Sequence, residues 1–381
     1  MKPLEIVSFI KSVRDKTSFI PLHAPIFNGN EKKYLLDCID STYVSSVGPY
    51  VDEFELKLAQ YCGAKYAVAM VNGTCALHLS MLISGVQEND LVLTQALSFV
   101  ATCNAISYLK AVPVFIDIDK ETLGMSPEKL AEFLSENAEL RKDGKAYHKQ
   151  SGKRISACVP MHTFGHPCRI DEISIICTKY NIALIEDAAE AVGSFYKNKH
   201  VGTFGAIGVF SFNGNKVITS GGGGALVTNN PEIAQKAKHL STQAKVAHRW
   251  EFNHDAVAFN YRMPNINAAL ACAQLEQLPD FLQSKRTLAL SYAGFFQNSE
   301  IKFVYEPEFA TSNYWLCSVL FSDLQSRNDF LEFSNNEGCM TRPCWTLLHK
   351  LGIFSSAIVS NLDNSLEIES RLINLPSSAN S

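Results

Sequence analysis

No stretch of this chain approaches the ~20 consecutive apolar residues that a bilayer-spanning helix needs, so nothing in it predicts a membrane segment. Net charge is only −4 over 381 residues, which leaves no basic field for nucleic acid. A charged substrate must then be held by local groups. Eleven cysteines are present, yet no two stand at C-x-x-C or zinc-ligand spacing, and an odd number cannot close a complete disulfide framework. Most lie in apolar stretches, among them Cys62, Cys158, Cys177 and Cys272, where a reduced thiol acts as a small hydrophobe. Met1 to Lys16 mixes Lys2, Glu5, Lys11, Arg14 and Asp15 and lacks an apolar secretory core. There is no internal repeat and no low-complexity tract. The run Gly221 to Gly224 is not followed by Gly-Lys-Ser/Thr, which excludes a P-loop. Together these absences predict a soluble protein of the reducing cytoplasm, without a metal site.

What the chain has in quantity is alternation. Hydrophobic residues make up 46% and charged residues 19%, an ordinary globular balance, and the length suggests a large and a small domain. Between residues 30 and 240, short apolar runs alternate with helix-length amphipathic segments. The runs include Tyr66 to Val71, Leu91 to Leu93, Val112 to Ile116, Ile155 to Val159, Ile182 to Ile185, Ile207 to Phe210 and Gly224 to Val227. Runs apolar throughout suit strands covered on both faces, hence a mostly parallel sheet in a three-layer α/β domain. Asn28 to Leu36 and Tyr50 to Tyr61 read as helices. Leu134 to Arg154 is polar and reads as a helix end followed by a solvated hairpin or loop. After Pro264 the rhythm changes: Asn267 to Leu278 and Phe281 to Asn298 read as helices, Trp315 to Phe321 as a strand, Asp329 to Asn335 as a helix and Cys339 to Thr341 as a short strand. The division follows as an N-terminal segment 1–20, a large α/β domain 21–264 and a small α+β domain 265–381.

Lys216 stands between an apolar strand and the glycine run. Desolvation readily lowers a lysine's pKa, which suits such a residue to Schiff-base chemistry. The strand Ile182 to Ile185 ends in Glu186-Asp187. A lysine for an imine and an aspartate for a pyridinium nitrogen are the partners that pyridoxal phosphate asks of a protein. Asn72-Gly73-Thr74 falls between a strand and a helix, where unpaired amides and the helix dipole favour an anion; alone it reads equally as a cap. Lys216, Asp187 and this turn all sit at strand C-terminal ends, which converge on one edge of a parallel sheet. Ser211, on the strand before Lys216, is a further phosphate donor, and Glu190 lies one helical turn beyond Asp187. Phe99 could stack on a planar cofactor or pack in the core. His162 reads equally as a cofactor contact or a satisfied core residue. Arg262 and Arg342 are candidate substrate contacts, since carboxylate and diphosphate both favour a forked donor.

At this point the chain resembles the DegT/StrS-type sugar aminotransferases, pyridoxal-phosphate enzymes of the aspartate-aminotransferase fold (fold type I). The resemblance rests on Ser45-Ser-Val-Gly48, Val71-Asn-Gly-Thr74, Glu186-Asp-Ala-Ala-Glu190, Ser211-Phe-Asn-Gly-Asn-Lys216 with its glycines, and Phe259-Asn-Tyr-Arg-Met263. It runs from Ile20 to near Ser378. More narrowly, Asn28 to Asp37, Pro160 to His166, Met340 to Pro343 and the 134–154 insertion are similar to a subgroup acting on UDP-4-keto-6-deoxy-N-acetylhexosamines in legionaminic-acid-type pathways. The resemblance implies Lys216 as the Schiff-base lysine, Asp187 opposite the pyridine nitrogen and Phe99 on the ring. Gly73, Thr74 and Ser211 would hold the phosphate, and Glu190, where relatives commonly carry glutamine, would approach the ring. It further implies a homodimer with shared sites, Asn260 reaching the neighbour's phosphate, and L-glutamate as amino donor to C4 of a nucleotide-linked keto sugar, for a surface-glycan amino sugar. Relatives with histidine at the lysine position are dehydratases, a branch that Lys216 argues against. The rivals are a dehydratase or desulfurase using Lys216, and a non-catalytic nucleotide-sugar binder that retains the fold.

Overall fold

The computed structural model describes residues 1–14 and 18–380; Asp15, Lys16, Thr17 and Ser381 lie outside the described residues. At its centre is a 10-stranded sheet whose main path runs Tyr66–Met70, Gly224–Thr228, Ile207–Ser211, Ala183–Asp187, Arg154–Val159, Leu91–Gln95, Val112–Ile116 and Ile358–Val359. From Ile207–Ser211 onward the neighbours pair parallel. Gly224–Thr228 runs antiparallel to both of its neighbours. The central strands are buried along nearly their whole length, with only Ala183 of the three half-buried, as runs without alternation require of a sheet covered on both faces. Fold type I, read from the sequence, is the fold observed.

Helix boundaries differ from the sequence reading by a few residues: Glu31–Asp40, Pro49–Cys62, Asn265–Glu276, Leu278–Phe296 and Leu324–Asn336. The last begins earlier than expected because Asp323 caps it, its side chain accepting from the Ser326 amide at 2.8 Å. The 134–154 segment is a helix end followed by a hairpin, Ala138–Leu140 with Ala146–His148, which pairs onto Arg154–Val159. The strand expected at Cys339 to Thr341 lies at Arg342–Pro343, while Cys339 forms a single parallel bridge to Ile20.

A second, antiparallel sheet orders Lys302–Phe303, Cys317–Leu320, Leu372–Leu375 and Arg342–Pro343. Two apolar clusters accompany the two sheets, and they do not divide at residue 264. The alanine-rich helix Asn265–Glu276 packs on Pro49–Cys62 and sends Ala268, Ala271, Cys272 and Leu275 into the larger cluster. Small side chains on that face let two helices approach closely. The N-terminal helix Pro3–Val13 instead lends Ile6, Val7 and Ile10 to the smaller cluster, against Leu288, Tyr292 and Phe296.

Candidate active site

The C-terminal ends of the parallel strands open into a cavity of about 400 Å³. Gly73, Thr74, Phe99, Asp187, Glu190, Ser211 and Lys216 all line it, drawn from four segments of the chain. The phosphate-type corner is the N-terminus of helix Gly73–Ile83. Asn72 caps it by accepting the Cys75 amide at 2.8 Å, and the first amides of the helix have no intrahelical acceptor. Close backbone approach builds this corner. A Cβ on Gly73 would stand 3.1 Å from the Ser211 Cβ, and one on Gly224 would stand 2.4 Å from the Asn72 carbonyl carbon. The glycine run thus lets one strand pass beneath the turn.

The Lys216 side chain is 12% exposed, and its Nζ donates to Glu190 Oε1 at 3.1 Å. The same Nζ lies 4.0 Å from the centre of the Trp315 ring, a cation–π contact. Trp315 is held by its own Nε1–H, which donates to the Asn215 carbonyl at 2.6 Å. Glu190 is buried, and its second oxygen accepts the Phe164 amide at 3.0 Å. Burial pushes this carboxyl up to about 7, against the pull of Lys216. Phe164 makes that contact from a left-handed backbone (φ 56°), which a bulky residue adopts only under constraint.

Asp187 is buried at the strand end. Its Oδ2 accepts from Thr102 Oγ1 at 2.7 Å and its Oδ1 from the Ala189 amide at 3.2 Å. Burial raises its pKa, while Thr102, the amide and Lys216 oppose the rise. A carboxylate of this kind gains from a cationic partner in the cavity.

Four sequence-singled residues stand elsewhere. His162 is fully buried and does not line the cavity. Its Nε2 meets Glu186 Oε2 at 3.1 Å and its Nδ1 accepts the Cys168 amide at 3.2 Å, so both nitrogens are satisfied. Of its two sequence readings, cofactor contact and satisfied core residue, this geometry fits the second. Asn260 and Arg262 lie outside their own chain's cavity, on a segment where Arg262 Nε donates to Asn260 Oδ1 at 3.2 Å. Arg342 lines an adjoining cavity that shares Asn215, Trp315 and Trp345 with the first.

Other cavity residues escaped the sequence reading. Thr102 follows Phe99 by one helical turn, a spacing that signals a shared face. Trp315 and Trp345 arrive from the C-terminal region, and nothing local marks them as neighbours of Lys216. Lys285 lines neither cavity and lies behind the Trp315 wall; it is buried in helix Leu278–Phe296, where a lysine on the apolar face was the available signal. It donates to His23 Nε2 at 3.1 Å, to the Trp315 carbonyl at 3.2 Å and to the Ser377 carbonyl, and burial lowers its pKa to about 7.

These groups fit pyridoxal phosphate: free amides and hydroxyls for a phosphate, a flat aromatic at Phe99, a buried carboxylate and a lysine amine around one cavity. The fold and this set define a pyridoxal-phosphate enzyme of fold type I. A model of the DegT/DnrJ/EryC1/StrS aminotransferase family matches residues 25–380, and the chain belongs to that family. It is similar to the GDP-perosamine synthase of Escherichia coli O157:H7, 37% identical over 88% of this chain and 87% of that one. The GDP-perosamine synthase of Vibrio cholerae is 36% identical over 94% of each chain. Among solved structures, the aminotransferase TlmJ from Streptoalloteichus hindustanus has a TM-score of 0.85 at 26% identity, covering 94% of this chain and 93% of that one. The protein is a pyridoxal-phosphate-dependent sugar aminotransferase. The narrower resemblance to a UDP-sugar subgroup is not carried by these relatives, which are named for a GDP sugar.

Proposed function

We propose that this enzyme moves an amino group from L-glutamate to C4 of a nucleotide-linked 4-keto-6-deoxyhexose. The observation that carries the reading is the gathering of Lys216, Asp187, Glu190 and the Gly73–Thr74 helix terminus around one cavity. Bound pyridoxal phosphate supplies the amino-group carrier and the electron sink. Asp187 keeps a positive charge opposite itself, and the Thr102 hydroxyl orients it. The Lys216 Nζ takes the proton from the donor's Cα, a transfer worth roughly 10²–10⁴-fold when the base is placed. Glu190, 3.1 Å away, steers that amine and accepts its N–H. Gly73, Thr74 and Ser211 would hold the phosphate, and Phe99 would pack on the ring.

The finer substrate reading is a UDP-linked N-acetylated sugar, bound for a surface glycan, and it rests on motif resemblance at 28–37, 160–166 and 340–343. The names of the relatives favour a second reading, a GDP sugar. The active unit is a homodimer. Supporting it, Asn260 and Arg262 share an exposed segment with Trp250, Phe252 and Val257, which are 69%, 77% and 95% exposed and would be covered by a second copy. All eleven cysteines are free, which supports a reducing cytoplasm.

The test is incubation of purified enzyme with cofactor, L-glutamate and a panel of UDP-, GDP- and dTDP-4-keto sugars, followed by mass. Amino sugar should form with one equivalent of 2-oxoglutarate. Dehydrated sugar without 2-oxoglutarate would point to the dehydratase rival, and unchanged keto sugar across the panel to the non-catalytic one. The sugar that reacts fastest decides the nucleotide.

A further inference from the structure

Lys285 is a buried amine that the chemistry above does not use. It is only 1% exposed, and it makes no ion pair among the described residues. Burying an amine without a counter-charge is costly unless hydrogen bonds meet it. An ammonium has three N–H groups, and here they meet His23 Nε2 at 3.1 Å, the Trp315 carbonyl at 3.2 Å and the Ser377 carbonyl. The three acceptors come from the N-terminal segment, the turn before strand Cys317–Leu320 and the C-terminal tail. These segments also bond to one another. The Ser377 amide donates to the Leu22 carbonyl at 2.7 Å, the Ala24 amide to Ser378 Oγ at 2.8 Å and the Cys317 amide to Ser377 Oγ at 2.8 Å.

What they hold is the turn that carries Trp315. The Trp315 amide donates to Asn313 Oδ1 at 2.8 Å, and Asn313 is fixed in turn by donating from Nδ2 to the Glu190 and Val192 carbonyls at 2.9 and 2.8 Å. Between them Tyr314 has a φ of 47°, a left-handed backbone that a bulky residue adopts only under constraint. The turn is therefore strained and needs clamps at both ends. Asn313 is one, and Lys285, on the Trp315 carbonyl, is the other. The indole ring aimed by this turn lies 4.0 Å from the Lys216 Nζ, which meets Glu190 as well. The ring is only as well placed as the carbonyl that Lys285 grips.

We propose that Lys285 is a positioning residue of the amino-transfer reaction: it clamps the Trp315 turn so that the indole ring keeps the Lys216 amine in place. The proposal rests on the reading of Lys216 as the reacting amine. Lys285 lines neither cavity, so it acts through Trp315. A displacement of about 1 Å in a reacting group can cost on the order of 100-fold in rate. The loss should then fall on the rate of amine transfer and not on substrate binding.

Two measurements test it. The first is a double-mutant cycle on the spectral change that L-glutamate alone produces in the holoenzyme. Lys285→Met keeps an unbranched apolar stem and removes the donors. It should slow the saturated rate about 10- to 100-fold while half-saturating glutamate moves less than about 3-fold. In a Trp315→Leu background the same change should cost less than about 3-fold, because residues that act through one another are not additive. If Lys285→Met does not fold, Lys285→Gln, which keeps two N–H groups, runs the same cycle. The second measurement is tryptophan emission of cofactor-free protein carrying Trp250→Phe, which removes the exposed indole. Either lysine variant at 285 should change the emission as Lys216→Met does, and combining it with Lys216→Met should add nothing. Equal losses with and without Trp315 overturn the proposal, as does emission that ignores Lys285, or a rise in half-saturating glutamate at unchanged rate. Emission that depends on both lysines, in a protein whose turnover survives Lys216→Met, would keep the clamp and reject Lys216 as the reacting amine. Turnover that needs Lys216 and ignores Lys285 would do the reverse.

Discussion

Glu186 and Asp187 are neighbours in sequence, both buried, and they titrate in opposite directions. For both carboxyls burial is the largest influence and pushes the pKa up. At Glu186 it is overcome by His162 and by the amides of Gly202, Phe204 and Gly205, each 2.7 Å from a carboxylate oxygen, so the group stays below its ordinary value. Asp187 has one hydroxyl and one amide, and burial prevails. Successive residues of a strand face opposite ways, so one carboxylate is locked into the protein and the other is left short of donors at the cavity. Degree of burial does not separate a structural charge from a functional one here. The number of donors does.

The comparison can be broken or sharpened by mutation. The largest effect is expected at the lysine that faces Asp187: Lys216→Ala should cut glutamate-dependent 2-oxoglutarate formation by about 10⁴-fold or more while the protein still folds. Retained turnover would remove the lysine from the chemistry. On the structural side, Glu186→Ala should lower unfolding stability by about 3–5 kcal/mol in urea, since it strands the buried His162 and three amides, that of Gly202 fully buried. A loss under about 1 kcal/mol would mean the contrast between the two carboxyls is illusory.

Asp187→Asn should show the opposite pattern, with turnover down about 10²–10³-fold and the melting temperature of cofactor-free protein unchanged or higher. If instead it melts lower and works normally, Asp187 belongs with Glu186. The smallest effect concerns Glu190. Its pKa of about 7 lies above the ordinary 4.5, so the folded state holds the proton more tightly. Its contribution to stability is therefore present below about pH 4.5 and is lost as pH rises through about 7. In cofactor-free protein, the stability difference between wild type and Glu190→Gln should drift over pH 5–8 with about one proton's worth of slope. A flat difference would show that Glu190 does not titrate there.

Much of this was legible beforehand. Lys216 and Asp187 sit where apolar runs end, and the end of a buried strand is a place local pattern can find. The 134–154 hairpin and the helix-start turn at Asn72 were legible for the same reason, since their signals are composition and spacing within a few residues. His162 was not, because its two partners, Glu186 and Cys168, come from the next strand and from a loop. Arg342, named from the sequence as a candidate substrate contact, is exposed, and only the fold shows what surrounds it. Thr341 and Asn335 hold its Nη1, and its neighbour Asn374 is supplied by strand register rather than by spacing.

The order of strands and helices, the lysine with its glycine support and the carboxylate at residue 187 were written in local pattern, because buried strands and close backbone approach constrain which residues can stand there. Which polar groups became lonely was decided only by folding. Whether a buried carboxylate or imidazole finds its full set of donors and acceptors depends on segments far apart in the chain, and in this protein that accounting separates the groups that hold the structure from those left to meet a ligand.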